Sequence, residues 1–243
     1  MESAQPRSPL TTPLASPPSP AESIDDSWYH DAQKYWEDIP ATVDGVLGGF
    51  AVLDKPDIVG SLQFISSFIA SKDKPPGARL ISRDCACDCG AGIGRITKGL
   101  LAKIFAQVDL VEQDANFAQT ARDTFLCEEY QRGKIGQIYV EGLQSFNPEP
   151  AKYSAIWCQW VLGHLTDDDL VRFFQRCQKG LKSDGLIFVK ENVAPVQAII
   201  DSSDSSVTRT DPEQLALFEK AGLKVIKRSV QKGFPKNIFA VHM

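Results

Sequence analysis

Between residues 83 and 112 the chain passes through a strand, three closely spaced glycines, a helix-forming stretch and a second strand. The strands are Arg83 to Cys89 and Val108 to Glu112, and the glycines stand in Asp88-Cys89-Gly90-Ala91-Gly92-Ile93-Gly94. No other stretch limits the fold as tightly. A strand that ends in glycines and opens a helix, with a second strand after it, starts a βαβ unit. Glycines at that junction let the backbone approach a ligand where a side chain would collide.

Alternation continues downstream. The pattern predicts helices from Gly94 to Phe105 and Ala115 to Tyr130, a short strand at Ile138 to Glu141, and a strand at Tyr153 to Gln159. Thr166-Asp167-Asp168-Asp169 opens a capped helix to about Leu181. A strand follows at Leu186 to Lys190, then a polar loop, then a helix from Asp211 to about Gly222. Leu223 to Val230 and Ile238 to Val241 would close the sheet as a hairpin. The expected fold is α/β and Rossmann-like, a seven-stranded, mainly parallel sheet with helices on both faces. An added N-terminal helical segment precedes it, with aromatics at Trp28, Tyr29, Tyr35 and Trp36. Asp57 reads as the N-cap of a further helix running to about Ser71, and Pro75-Pro76-Gly77 breaks the chain after it.

Residues 1–22 hold six prolines, four serines and two threonines with almost no large apolar residue, so they read as a disordered tail. Residues 23–243 form the expected single domain. The net charge of −5 argues against a nucleic-acid binder. No stretch approaches the ~20 apolar residues of a membrane span, and no apolar leader is evident. The cytoplasm is the expected location, with the nucleus reachable for a chain of 26.7 kDa. Cys85, Cys87 and Cys89 lack the second ligand pair of a zinc site and read as buried strand residues, so no metal is expected.

Glu112 ends the second strand, where an acid can accept both hydroxyls of an adenosine ribose. The glycine spacing is G-x-G-x-G, not the G-x-G-x-x-G of dinucleotide folds, and Asp88 precedes it. S-adenosylmethionine carries no phosphate but has a cationic methionyl end, which suits a carboxylate near the loop. Gly90, Gly92, Gly94 and Glu112 are therefore expected to bind that cofactor, with Arg95 at its carboxylate. Leu143 and Gln144 follow the third strand and Gln159 ends the fourth, all at the carboxyl edge where ligands sit.

Four strings carry a resemblance. They are Tyr35-Trp36…Ile39-Pro40…Thr42-Val43-Asp44-Gly45-Val46-Leu47-Gly48-Gly49; Gly90 to Lys98; Ile156-Trp157-Cys158-Gln159-Trp160-Val161-Leu162-Gly163-His164-Leu165-Thr166-Asp167; and Lys190-Glu191-Asn192…Asp201…Asp204-Ser205-Ser206-Val207…Arg209. Over roughly residues 28–243 the chain resembles the eukaryotic protein N-terminal methyltransferases, which methylate the α-amine of proteins starting Xaa-Pro-Lys. The resemblance implies Asp204 and His164 as proton acceptors and Asn192 as the amide orienting the amine. It implies Asp201 and Ser206 for the substrate lysine, Trp160 for the proline, and Trp36, Leu47 and Gly48 for the lid and channel. It also implies ribosomal and chromatin-associated targets. An α-amine has a pKa of about 7.7–8.0, so the site must take a proton before the lone pair can attack.

Three features depart from the family. Glu112-Gln113 stand where Asp and an apolar residue are expected, Phe239 stands where a tyrosine is expected, and Pro195-Val196-Gln197 differs from the usual stretch. Two alternatives stay open at this level: a methyltransferase for a small-molecule amine, and an inactive binding partner on the same fold.

Overall fold

A computed structural model describes residues 27–69 and 80–243. The proline-rich tail of residues 1–22 and the break at Pro75-Pro76-Gly77 lie outside the described residues. Helix α1 (Trp28–Glu37) and the short α2 (Val43–Val46) lead into α3 (Asp54–Ser66). The alternating part comprises β1 (Cys85–Cys89), α4 (Ala102–Ile104), β2 (Gln107–Val111), α5 (Ala115–Thr120), α6 (Cys127–Gln131), β3 (Ile135–Tyr139) and β4 (Tyr153–Gln159). It continues with α7 (Asp167–Gly180), β5 (Leu181–Val193), β6 (Ile199–Asp201), β7 (Ser206–Thr208), α8 (Asp211–Lys220) and β8 (Ala240–His242). Wider π-helical turns at Thr97–Leu101 and Ala121–Phe125 interrupt the two helices expected after β1 and β2.

The main sheet has six strands in the order β3-β2-β1-β4-β5-β8. β8 runs antiparallel to β5, and the other neighbours are parallel. The expected seventh strand is reduced to a bridge between Val230 and His242. Ser229 and Met243 exchange backbone hydrogen bonds at 2.9 and 2.8 Å and the Gln231 N–H donates to the Val241 carbonyl at 2.8 Å, so only the end of the expected strand pairs with β8, and Gly233, at φ 82, turns the chain after it. A small antiparallel pair, β6 with β7, occupies the stretch expected to be a polar loop.

One side of the sheet packs Phe64, Ile65, Leu100, Leu101, Phe105 and Trp157, and the other packs Phe146, Tyr153, Phe173, Phe174 and Cys177. The cysteines of β1 are buried against the second layer, as small strand residues. Thr166 caps α7 by accepting the Asp169 N–H at 3.2 Å, and Thr210 with Glu213 forms a capping box on α8. The strand order switches from one side of β1 to the other between β1 and β4, which run parallel, so the carboxyl ends of those strands mark the crevice where such sheets bind ligands.

Candidate active site

Two clefts meet at that crevice. The smaller is lined by Gly90, Gly92, Arg95, Glu112, Leu143, Gln144 and Gln159, seven of the eight residues expected to hold the cofactor. Gly94 lies outside the lining. At φ 86 it closes the turn, and a Cβ there would stand 2.4 Å from Leu126. Gly90, at φ 71, would likewise drive a Cβ to within 2.4 Å of Val161, so its lack of a side chain lets the β1 and β4 loops meet. Gly92 has room, and its N–H donates to Glu112 Oε2 at 2.7 Å.

Glu112 Oε1 accepts the Asp114 N–H at 2.9 Å, so both carboxylate oxygens are anchored at the end of β2. Burial pushes its pKa up to about 7, against the opposing pull of those N–H groups. Asp88, beneath the loop, is raised to about 6 by burial, while the Thr97 hydroxyl donates to it at 2.6 Å. Arg176 on α7 donates to the carbonyls of Phe146, Leu143 and Gln144 and so fixes the loop after β3.

Arg95 and Gln159 belong to a buried network as well as to the cleft. Arg95 binds Asp54 at 2.9 Å and Asp57 at 2.7 Å. Gln159 Nε2 donates to both Asp57 oxygens at 2.8 and 2.9 Å and accepts from Trp157 at 3.0 Å. Lys190, wholly buried, pairs with Asp57 at 2.5 Å and donates to Ser61 and Gln231. Asp57 is therefore not a helix cap; it lies inside α3 as the acceptor for three elements. Its stripe shows this: Asp57, Ser61, Phe64 and Ile65 share one buried face.

The larger cleft encloses about 1130 Å³. Trp36, Leu47, Trp160, His164, Asn192, Asp204 and Ser206 line it. Trp36 lines both clefts. Gly48 and Asp201 line neither. Gly48 is exposed, at φ 58, ending α2. Asp201 is exposed at the end of β6, and its carboxylate accepts the Ser203 N–H and hydroxyl, which holds its pKa below the usual range.

Among the described residues three buried side-chain polar atoms lack a partner: Glu129 Oε2, Trp160 Nε1 and Asp204 Oδ1. The last two belong to the larger cleft, a donor and an acceptor with nothing to bond.

His164 is differently placed. The Trp36 indole can only donate, so at 3.2 Å His164 Nε2 accepts from it. Nδ1 then carries the proton and donates to the Ser205 carbonyl at 3.1 Å. Both nitrogens of His164 are engaged in this arrangement. His164 ties Trp36 to the turn that carries Asp204.

Sequence pattern alone assigns no role to Glu191, Arg209 or Tyr35. Glu191 accepts the N–H groups of Val161 and Leu162, each at 2.9 Å, and burial raises its pKa to about 7. Arg209 donates to the carbonyls of Leu162 and Leu165 and pairs with Asp167. Together they clamp the turn that begins at Trp160, whose φ of 52 is a strained conformation for a tryptophan. Burial and the nearby charges of Asp204 and Asp201 raise the Tyr35 pKa.

Comparison with known proteins fits this geometry. A family model described as AdoMet dependent proline di-methyltransferase matches residues 25–243. The chain belongs to that family. It is 46% identical over 216 residues to N-terminal Xaa-Pro-Lys N-methyltransferase 1 of Danio rerio, covering 89% of this chain and 93% of that protein. It is 41% identical over 219 residues to alpha N-terminal protein methyltransferase 1 of Arabidopsis thaliana, covering 89% and 78%. A solved SAM-dependent methyltransferase of Leishmania major superposes with a TM-score of 0.79 at 38% identity, over 88% of this chain and 81% of that one.

This proline di-methyltransferase relative is thus an enzyme that uses S-adenosylmethionine. The smaller cleft fits the cofactor: an anchored carboxylate on β2, a glycine turn with room at Gly92, and apolar walls at Ile96, Phe117 and Leu143.

Proposed function

We propose that the chain transfers methyl groups from S-adenosylmethionine to the free α-amine of proteins starting Xaa-Pro-Lys, adding one to three of them. One observation carries the reading: the buried, unpartnered Asp204 Oδ1 in the larger cleft. A carboxylate oxygen in that state calls for a cationic or N–H partner, and a chain-terminal ammonium is both. The cleft exceeds the roughly 300–1,000 Å³ of small-molecule pockets, which favours an extended peptide over a small amine.

The cofactor, when bound, supplies an electrophilic methyl group. Asp204 binds the α-ammonium and takes its proton, freeing the lone pair. Asn192, whose side-chain amide has no partner among the described residues, orients the amine. Trp160 offers its ring and its unpaired N–H to the first peptide unit. Leu47, Leu53 and Ile238 supply an apolar wall for the proline. Ser206 lines the cleft for the lysine, with Asp201 at its edge. The rate enhancement rests mainly on orientation and on excluding water beneath Trp36.

Purified protein, S-adenosylmethionine and a Ser-Pro-Lys peptide test this by mass spectrometry. The expected gain is one to three methyl groups on the free peptide and none on its α-N-acetylated form. Methylation of neither, with cofactor binding confirmed by calorimetry, refutes the acceptor assignment. Ribosomal and chromatin-associated proteins in the cytoplasm and nucleus are the proposed targets. Comparing native N-termini from cells with and without the enzyme checks them.

A further inference from the structure

Arg95 lines the smaller cleft and is already held by two carboxylates. Its Nη1 donates to Asp57 at 2.7 Å and to Asp54 at 2.9 Å. Its Nε and Nη2 bond to no described residue and are not among the buried atoms left without a partner, so donors remain for a ligand in the cleft.

Two carboxylates against one guanidinium would leave no net positive charge for a third. Lys190 alters that balance. Its Nζ lies 2.5 Å from Asp57 Oδ1, and it also meets the Asp57 carbonyl at 3.1 Å, Ser61 Oγ at 2.9 Å and Gln231 Oε1 at 2.7 Å. Gln231 Nε2 donates to the carbonyls of Pro56 and Lys232, which turns its oxygen toward Lys190. The Asp57 oxygens and the Gln231 oxygen can only accept, and donating to all of them takes every hydrogen of an ammonium. Lys190 is therefore charged although wholly buried; burial pulls its pKa down and the Asp57 carboxylate opposes that pull.

Asp57 is thus neutralised from the β5 side, and Arg95 keeps its charge. Asp54 differs from Asp57. It stands in the first turn of α3, is 39% exposed, and its side chain bonds only Arg95 among the described residues. We propose that Lys190 and Asp54 tune the affinity for S-adenosylmethionine in opposite directions. Lys190 preserves the Arg95 charge for the methionyl carboxylate, and Asp54 competes with that carboxylate for it. Both are positioning residues that act through Arg95, and the effect falls on the cofactor whatever the methyl acceptor.

Calorimetric titration with S-adenosylmethionine and with its decarboxylated analogue, which keeps the adenosine, sulfonium and amine, isolates the carboxylate. The wild-type protein should prefer S-adenosylmethionine. Asp54→Asn, a near-isosteric change at a part-exposed position, should widen that preference by roughly two- to fivefold, the scale of a part-exposed ion pair. Lys190→Met should narrow it by about tenfold or more. A purely structural role would move both ligands together and leave their ratio unchanged. Where Lys190→Met does not fold, Asp54→Asn decides alone. A ratio that Asp54→Asn leaves unchanged or narrows overturns the proposal, and an equal loss with both ligands assigns Asp54 to the methionyl amine instead. Equal affinity of the wild-type protein for the two ligands overturns the assignment of Arg95 to the carboxylate, and the tuning falls with it.

Discussion

Replacing Glu112 with glutamine should make the protein more stable and a poorer binder of its cofactor. In the folded chain burial holds the Glu112 carboxyl up to about 7, against 4.5 for an ordinary glutamate. Below 4.5 both states carry the proton and nothing is lost. Between 4.5 and about 7 the unfolded chain ionises freely while the folded one keeps its proton, so stability falls as pH rises. At about 1.4 kcal/mol per pH unit the full penalty above pH 7 is about 3 kcal/mol, and at pH 6 about 2 kcal/mol. Glutamine escapes it but turns an NH₂ toward one of the two backbone N–H donors, costing about 1–2 kcal/mol. The net gain at pH 8.5 is therefore about 1–2 kcal/mol, or roughly 2–8 °C in Tm for a domain this size. At pH 6 the gain should shrink by about 1 kcal/mol. Thermal unfolding at the two pH values reads the difference, and calorimetry reads the cofactor affinity. A variant no more stable than wild type at pH 8.5, or one whose advantage does not change with pH, would refute the reasoning.

Asp204→Asn should lower kcat by about 10²-fold or more while leaving the calorimetric affinity for S-adenosylmethionine within about twofold. Lys190→Met keeps the side-chain volume but strips the charge from a wholly buried pair. Urea unfolding should show a loss of about 3–5 kcal/mol, since Asp57 keeps only Arg95 and Gln159. Gly92→Ala adds a methyl at φ 56 with Val46 3.4 Å away, and should weaken cofactor binding by calorimetry while costing about 1–2 kcal/mol in unfolding.

What the sequence discloses is what short-range pattern controls. β4 runs from Tyr153 to Gln159, as expected, and the cap at Thr166 sits where the Thr-x-x-Asp signal places it. The glycine turn and Glu112 share a crevice because a βαβ unit allows little else. β3 begins three residues earlier than expected, at Ile135, because pairing with β2 and not local propensity selects its register.

Long-range partners stay hidden. Nothing in the local sequence around His164 points to Trp36, 128 residues away, which donates to it. Asp57 reads as a helix cap until Lys190 reaches it from β5, 133 positions later. The β6–β7 pair hides in a run of serines and aspartates whose composition suits a solvated loop.

Trp36 forms part of the wall of both clefts, and a shared wall has a thermodynamic consequence. Ligands in the two clefts would meet the same indole, so the free energy of setting that ring in place enters both binding equilibria. By linkage, the factor by which bound cofactor changes peptide affinity equals the factor by which bound peptide changes cofactor affinity. A residue shared by two clefts couples the ligands they hold, and each methyl transfer, by converting both of them, resets both affinities.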